Sequence, residues 1–188
     1  MSTYQGIRGL KVRDYTTNPD DPLEGQLWYN KTDQVGKYQI PNQIAAWSTG
    51  GNLNTGRRLA AGAGIQTSSL CFGGDLNPGA SALNELYNGT TWTELADLNS
   101  ARNSLAGLGT STAALSFGGN SPSTSTQSWN GTNWSNETAL STGRSTLAGA
   151  GTQTLGLAIS GDAATLSAAT EEWDGTGFIT KTITTTTD

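Results

Sequence analysis

Apolar positions along this chain come in short runs separated by polar turns. Ala114-Leu115-Ser116-Phe117 has the length and content of a short strand and ends on Gly118-Gly119. The Leu-Ala-Gly run at Leu105–Gly109, ahead of the polar turn Thr110-Ser111-Thr112, predicts the strand before it. A third strand is expected near Thr126-Gln127-Ser128-Trp129 and a fourth from Trp134. Between these two, Asn130-Gly131 is a two-residue hairpin signal, because both positions tolerate positive φ. No apolar run approaches the ~20 residues that span a bilayer.

The same four-strand pattern recurs three times. Arg57, Arg102 and Arg144 each stand 17 residues before the second glycine of a Gly-Gly pair: Gly73-Gly74, Gly118-Gly119, and a degraded third copy in which Ser160 precedes Gly161. Two aromatics follow, always 5 apart: Tyr87 and Trp92, Trp129 and Trp134, Trp173 and Phe178. The second aromatic stands 10 residues before the next Arg, and Trp47 keeps that spacing to Arg57. Ala46-Trp47-Ser48 is therefore expected to be a fourth-position strand leading the first full unit. Only one interval varies, from the second glycine to the first aromatic: 13, 10 and 12 residues. Length change is confined to one connection, and a repeated scaffold holds the rest.

Composition sharpens this reading. The chain has 188 residues, with 29 Thr, 18 Ser, 14 Asn and 25 Gly, and only 13% charged residues. Low net charge (−5) and six Trp argue against disorder, and abundant Thr, Gly and Asn favour strands and tight turns. The chain has no His, which excludes Ser-His-Asp and Cys-His catalysis and most zinc and copper sites. Its lone cysteine, Cys71, leaves no intrachain disulfide. An acidic balance with ten Lys+Arg disfavours nucleic acid as a partner. The first residues show no basic-then-apolar signal pattern.

Four-stranded units of about 42 to 45 residues, with a Gly-Gly pair after the second strand and an aromatic on either side of a turn, resemble the kelch repeat of β-propellers. The match covers roughly residues 46–180, and its two aromatics lie closer together than in most kelch motifs. The Leu-Ala-Gly strands and Thr-rich turns look most like kelch-like repeats in virion proteins of tailed phages, especially marine ones. Pro22-Leu23-Glu24-Gly25-Gln26-Leu27-Trp28-Tyr29-Asn30 is similar to a segment near the N-terminus of many phage fibre and appendage proteins. The resemblance implies an all-β protein with three kelch-like antiparallel repeats (about 46–92, 93–134 and 135–180), propeller-blade-like or β-prism-like. It also implies a segment, residues 1–45, that docks to the virion or drives oligomerisation. That segment holds five of the ten basic residues: Arg8, Lys11, Arg13, Lys31 and Lys37.

By the same resemblance the protein is a non-enzymatic tail-fibre, appendage or head-decoration component on the particle exterior. It would need no cofactor and no membrane insertion. Its partners would be other virion proteins, further copies of itself and a host-surface glycan. A carbohydrate- or receptor-binding host-recognition tip is the alternative, and a glycoside hydrolase a third. Three units fall short of the four to eight blades with which propellers close. Two chains forming a six-bladed ring, three chains burying their repeats together, and one chain closed as a triangular prism all solve this. The phage resemblance favours the homotrimer.

The recurring residues divide by role. Arg57, Arg102 and Arg144 are expected to bond carbonyls at the seams between units, with a ligand-binding arginine ring as the alternative. Trp47, Trp92, Trp134 and Phe178 are expected to fill space between sheets, with sugar stacking as the alternative. The variable loops between the second and third strands carry the candidate binding residues: Asp75 and Asn77, Asn120 and Ser123, Asp162 and Thr165. Glu171, Glu172 and Asp174 cluster in one unit only, and a glycosidase needs two carboxylates facing across a cleft. Copper oxidases built on kelch-like propellers need His ligands, which this chain lacks. Asn30, Asn88, Asn130, Asn133 and Asn136 begin glycosylation triplets, which would stay unmodified in a phage protein. Thr184–Thr187 is expected to be a last edge strand or a tail.

Overall fold

A computed structural model of the chain describes residues 13–19, 27–38 and 47–180. Arg8, Lys11, Pro22–Gln26, Ala46 and Thr184–Thr187 lie outside the described residues. Among the described residues all the regular structure is β, and the chain divides into two compact units, Met1–Ser48 and Thr49–Asp188.

The first unit holds a three-stranded sheet of β1 (Arg13–Tyr15), β2 (Leu27–Asn30) and β3 (Val35–Tyr38). β1 runs parallel to β2, and β2 pairs antiparallel with β3. In β2 exposed and buried residues alternate, so Trp28 and Asn30 point inward. A buried amide needs partners. Asn30 Oδ1 accepts the backbone N–H groups of Thr32 and Asp33, both at 3.0 Å, and so shapes the β2–β3 turn.

The second unit contains three four-stranded antiparallel sheets. Sheet I is β4 (Ala61–Ile65), β5 (Ser68–Phe72), β6 (Asn84–Tyr87) and β7 (Trp92–Glu94). Sheet II is β8 (Ala106–Gly109), β9 (Ala114–Phe117), β10 (Thr126–Trp129) and β11 (Trp134–Asn136). Sheet III is β12 (Ala148–Thr152), β13 (Leu155–Ile159), β14 (Thr170–Trp173) and β15 (Phe178–Thr180). Each is a simple meander in sequence order. Their registers superpose residue for residue: Ala61, Ala106 and Ala148 pair with Phe72, Phe117 and Ile159. This register places Ala60 in line with Leu105 and Leu147. Leu59 corresponds to Ser104 and Thr146, and all three share a left-handed backbone (φ 55, 54 and 51°).

The sheets stack face on face, with β8 packed against β4 on one side and β12 on the other. One core lies between sheets I and II, built on Leu70, Phe72, Ala114, Trp129 and Trp134. A second lies between II and III, built on Leu108, Leu115, Phe117, Ala158 and Trp173. Close approach of the backbones demands glycine in the first strand of the following sheet. A Cβ on Gly107 would sit 2.5 Å from the Phe72 ring, and one on Gly149 would sit 2.9 Å from that of Phe117.

Two expectations need correction. Trp47 lies in no strand and is fully exposed, so it is not a fourth-position strand ahead of sheet I. The aromatic positions do not bracket a two-residue turn. Trp129 pairs directly with Trp134, which leaves a four-residue loop, and only Gly131 there has positive φ (93°). The Asn130 N–H donates to Asn133 O at 3.3 Å, and the Asn130 carboxamide accepts the N–H groups of Thr132 and Asn133, both at 2.9 Å. Asn88 and Asp174 build the other two loops in the same way.

Candidate functional site

The meander sends two kinds of connection to each end of a sheet. The loop between the second and third strands shares one end with the segment leading into the next first strand. The tight turns share the other end. The variable loops therefore gather at one end of the second unit, and their bases are tied down.

Asp75, Asn120 and Asp162 follow the Gly-Gly position in each sheet, and each pairs with the residue after the repeated arginine. Arg58 and Asp75 exchange backbone hydrogen bonds, as do Ser145 and Asp162. Asn120 donates its N–H to Asn103 O at 2.8 Å and accepts the Asn103 N–H at its side chain, 3.2 Å away. Asp75 also accepts the Asn77 N–H at 3.0 Å and pairs with the Arg58 guanidinium at 2.8 Å. Those donors, the Asn77 N–H foremost, hold its carboxyl below the usual range. Asp162 accepts the Thr146 hydroxyl at 2.7 Å. Ser123 bridges to Arg144, and its hydroxyl accepts the Ser125 N–H. These four residues are loop anchors. Asn77 and Thr165 face solvent, beside Leu76 (44% exposed) and Leu166 (90%). The exposed tips thus pair amide and hydroxyl groups with bare apolar side chains. Sequence reasoning weighed only the polar members, because loops were read for hydrogen-bonding chemistry.

The arginines occupy one place per sheet. The Arg102 guanidinium donates to Gly118 O and Ser125 O, both at 2.8 Å, and to the Ser116 hydroxyl at 2.7 Å. Arg144 donates to Ser160 O at 2.9 Å, Ala169 O at 2.7 Å and the Glu171 carboxylate at 2.7 Å. Arg57 donates to Cys71 O at 2.9 Å and pairs with Glu85. Each guanidinium therefore ties together strands of its own sheet. The seam between sheets is made instead by the arginine backbone: Gly74 N–H donates to Arg102 O (2.8 Å) and Gly119 N–H to Arg144 O (2.9 Å). All three side chains are buried by these contacts, so they form no open ring toward a ligand.

Sheet II differs in charge. Where sheets I and III place Glu85 and Glu171, it has Gln127, and burial without a carboxylate lowers the Arg102 pKa to about 10. Burial pushes Glu85 up. The Arg57 guanidinium and the N–H groups of Asn54 and Thr55 outweigh that and hold its carboxyl low. Burial also raises the Cys71 thiol against the neighbouring Arg57 charge.

Of the aromatics, Trp134 packs edge-on against Phe72 of the preceding sheet (4.9 Å between centroids) and Phe178 against Phe117 (5.6 Å). Trp92 lies against Tyr87 of its own sheet, at 5.0 Å. The carboxylate cluster does not form a facing pair. Glu171 is locked on Arg144 and the Ser141 N–H, and Glu172 points to the opposite face of β14. Asp174 accepts the Thr176 hydroxyl and the N–H groups of Thr176 and Gly177 in its turn. Among the described residues no group of three His, Cys, Asp or Glu could hold a metal ion.

No protein-family model and no curated protein matches the chain. Among solved structures it is similar to that of YjhT, with a TM-score of 0.55 at 16% sequence identity. The likeness covers 78% of this chain and 48% of that one, so the chain spans about half the length of its structural neighbour. At that identity the likeness concerns the fold: an all-β architecture of four-stranded antiparallel sheets.

Proposed function

We propose that the protein is a non-enzymatic structural component of a tailed-phage virion, a fibre, appendage or head-decoration protein. It displays kelch-like, propeller-type repeats, and residues 1–45 dock it to the particle. The observation that carries the reading is the division of labour within each repeat. A buried arginine, a Gly-Gly pair (Ser160-Gly161 in the third) and a tied loop base form a recurring frame, and that frame presents solvent-facing tips of differing length and chemistry. A display scaffold needs this separation, whereas hydrolysis needs convergent carboxylates. The exposed Leu76 and Leu166 beside Asn77 and Thr165 favour a second reading, a host-recognition tip whose loops bind a surface glycan, since apolar and hydrogen-bonding groups together suit a sugar face.

Mass spectrometry of purified particles, with immunogold labelling, tests the first reading. Copies per particle at a fixed ratio to the major capsid protein support it; absence from particles that otherwise assemble normally overturns it. A glycan array on the wild type and on a variant with all three loop tips replaced by Gly-Ser tests the second. Binding retained by the loop variant would sink it.

A further inference from the structure

Among the described residues of the second unit, sheet II packs against a sheet on both faces, whereas sheets I and III each pack against a sheet on one. Leu70 and Leu115 are 1% and 0% exposed, yet their counterpart Leu157 on the outer face of sheet III is 36% exposed. With Ala150, Leu155, Glu172 and Trp173, Leu157 lines an open hollow of about 280 Å³. At the other end of the stack, the outer face of sheet I carries Gly62, Cys71 and Trp92. These are the counterparts of Gly107, Ser116 and Trp134, which pack on sheet I, and of Gly149, Ala158 and Phe178, which pack on sheet II. The outer face of III is therefore the kind of face that a following sheet covers, and the outer face of I is the kind that covers a preceding one.

We infer that a second copy of this chain docks head to tail, the outer face of sheet III on the outer face of the partner's sheet I, and that two such seams close a ring of six sheets.

The internal seams supply the pattern, and the open faces retain its parts. Gly107 and Gly149 must be glycine because a Phe ring and a neighbouring backbone lie against them. Gly62 stands at the same register, and within its own chain a Cβ there would meet only the Leu70 carbonyl, at 3.2 Å. A sheet arriving from a partner, with Ile159 in the place of Phe72 and Phe117, gives that glycine its use. The turn between the first and second strands makes a second link. The Gln153 carboxamide reaches back to Ala114 O (3.1 Å) and Trp129 O (2.7 Å) of sheet II. Gln66 holds the same turn position in sheet I and is exposed. In the closed ring it would reach Gly156 O and Trp173 O of the partner.

The closing seam also carries a matched exchange of size. Internally, Gly73 faces Leu105 and Gly118 faces Leu147, with a Cβ on either glycine within 2.9 Å of the leucine. At the closing seam Ser160 would face Ala60. The residue that grew is opposite the residue that shrank. The Ser160 Cβ also sets this seam slightly wider at the Arg57 carbonyl than the internal seams are at Arg102 and Arg144.

Ring arithmetic selects the number of copies. Propellers close with about four to eight four-stranded sheets, and six is the only multiple of three in that range. Three chains would bring nine. A head-to-tail contact that closes makes a finite cyclic assembly rather than a fibre.

Multi-angle light scattering on the full chain at micromolar concentration should give twice 19.5 kDa. In Gly62→Trp the new Cβ would meet within its own chain only the Leu70 carbonyl, at 3.2 Å, so the variant's circular dichroism should stay close to wild type while its mass falls to that of one chain. Leu157→Glu should do the same from the opposite face, and Gln66→Ala should weaken association roughly tenfold. Cys71, half-buried on the outer face of sheet I, should be alkylated several times faster in Leu157→Glu than in wild type, because that variant leaves the neighbours of the thiol unchanged. Mixing Gly62→Trp with Leu157→Glu leaves one intact seam and should restore a two-chain species. A wild-type monomer or trimer overturns the inference. So does a dimer that survives Gly62→Trp but not Leu157→Glu, since that result means sheet III pairs with its own copy.

Discussion

At the scale of single residues, the seam is set by which side chains are missing. Gly118 has a left-handed backbone, and a Cβ there would lie 2.6 Å from both the Arg144 carbonyl and the Leu147 side chain. Gly118→Ala should destabilise the second unit by on the order of 3 kcal/mol, read from urea unfolding, because strain and overpacking act together. Ser160 has the same backbone (φ 61°) but packs against no following sheet among the described residues of the second unit, so the third repeat can lose its first glycine. The arginine position invites the opposite experiment. Arg102 is buried with Ser116 where Arg57 and Arg144 have carboxylates. Gln127→Glu puts a carboxylate where Glu85 and Glu171 stand in the other sheets. It keeps the acceptor for the Asn99 N–H and should raise stability by about 1 kcal/mol at pH 7. A fall in the unfolding midpoint would mean that the Gln127 bond to Asn136 (3.1 Å) outweighs charge compensation.

At the scale of elements, the turns show what was legible in the sequence and what was not. Constant spacing between the aromatics located every third and fourth strand, because a fixed loop length fixes register. The turn type was misread. Asn-Gly next to an aromatic suggests a two-residue turn, yet the side chains of Asn88, Asn130 and Asp174 can substitute for backbone acceptors, and a four-residue loop results. Trp47 matches Trp92 in spacing alone: the chain there lies in no strand and the side chain is fully exposed. The arginines and Gly-Gly pairs were legible because one physical role recurs. The anchoring of Asp75, Asn120 and Asp162 was not, since it depends on backbone pairing between segments about 17 residues apart. Asp174 gives the turn a pH signature. The Thr176 hydroxyl and the N–H groups of Thr176 and Gly177 lower its pKa. A depressed carboxyl contributes stability that is present above the unfolded pKa and lost as pH falls through the folded one. Asp174→Asn should mimic Asn130. The stability difference between wild type and this variant should shift toward the variant as pH drops from about 4. A difference that stays constant down to pH 2 would show that the turn bonds do not distinguish the charged side chain.

At the scale of the whole molecule, the division after Ser48 separates a small three-stranded sheet from the stack of three four-stranded ones. The sequence boundary at residue 45 came from the end of the repeat pattern; the compact units place it a few residues later. Those few residues matter. Gly51 O accepts the Trp92 indole N–H at 3.0 Å, and the Asn54 side chain donates to Trp92 O at 3.1 Å. The Asn54 N–H donates to the buried Glu85 carboxylate at 2.7 Å, with the Thr55 N–H on its other oxygen. Residues 49–55 are therefore part of sheet I, although none of them lies in a strand. Two truncations should behave differently. Removing residues 1–48 should leave the β-sheet circular dichroism and the cooperative unfolding of the remainder intact. Removing residues 1–55 takes two donors from a buried carboxylate and the partner from an indole, and should cost a further 2–4 kcal/mol, on the order expected for uncompensated buried polar groups. On the virion role proposed above, the first truncation should also fail to incorporate into particles. Equal stability of the two truncations would show that the leading segment is not part of sheet I. Collapse of the first would show that the N-terminal sheet belongs to the same folding unit as the stack.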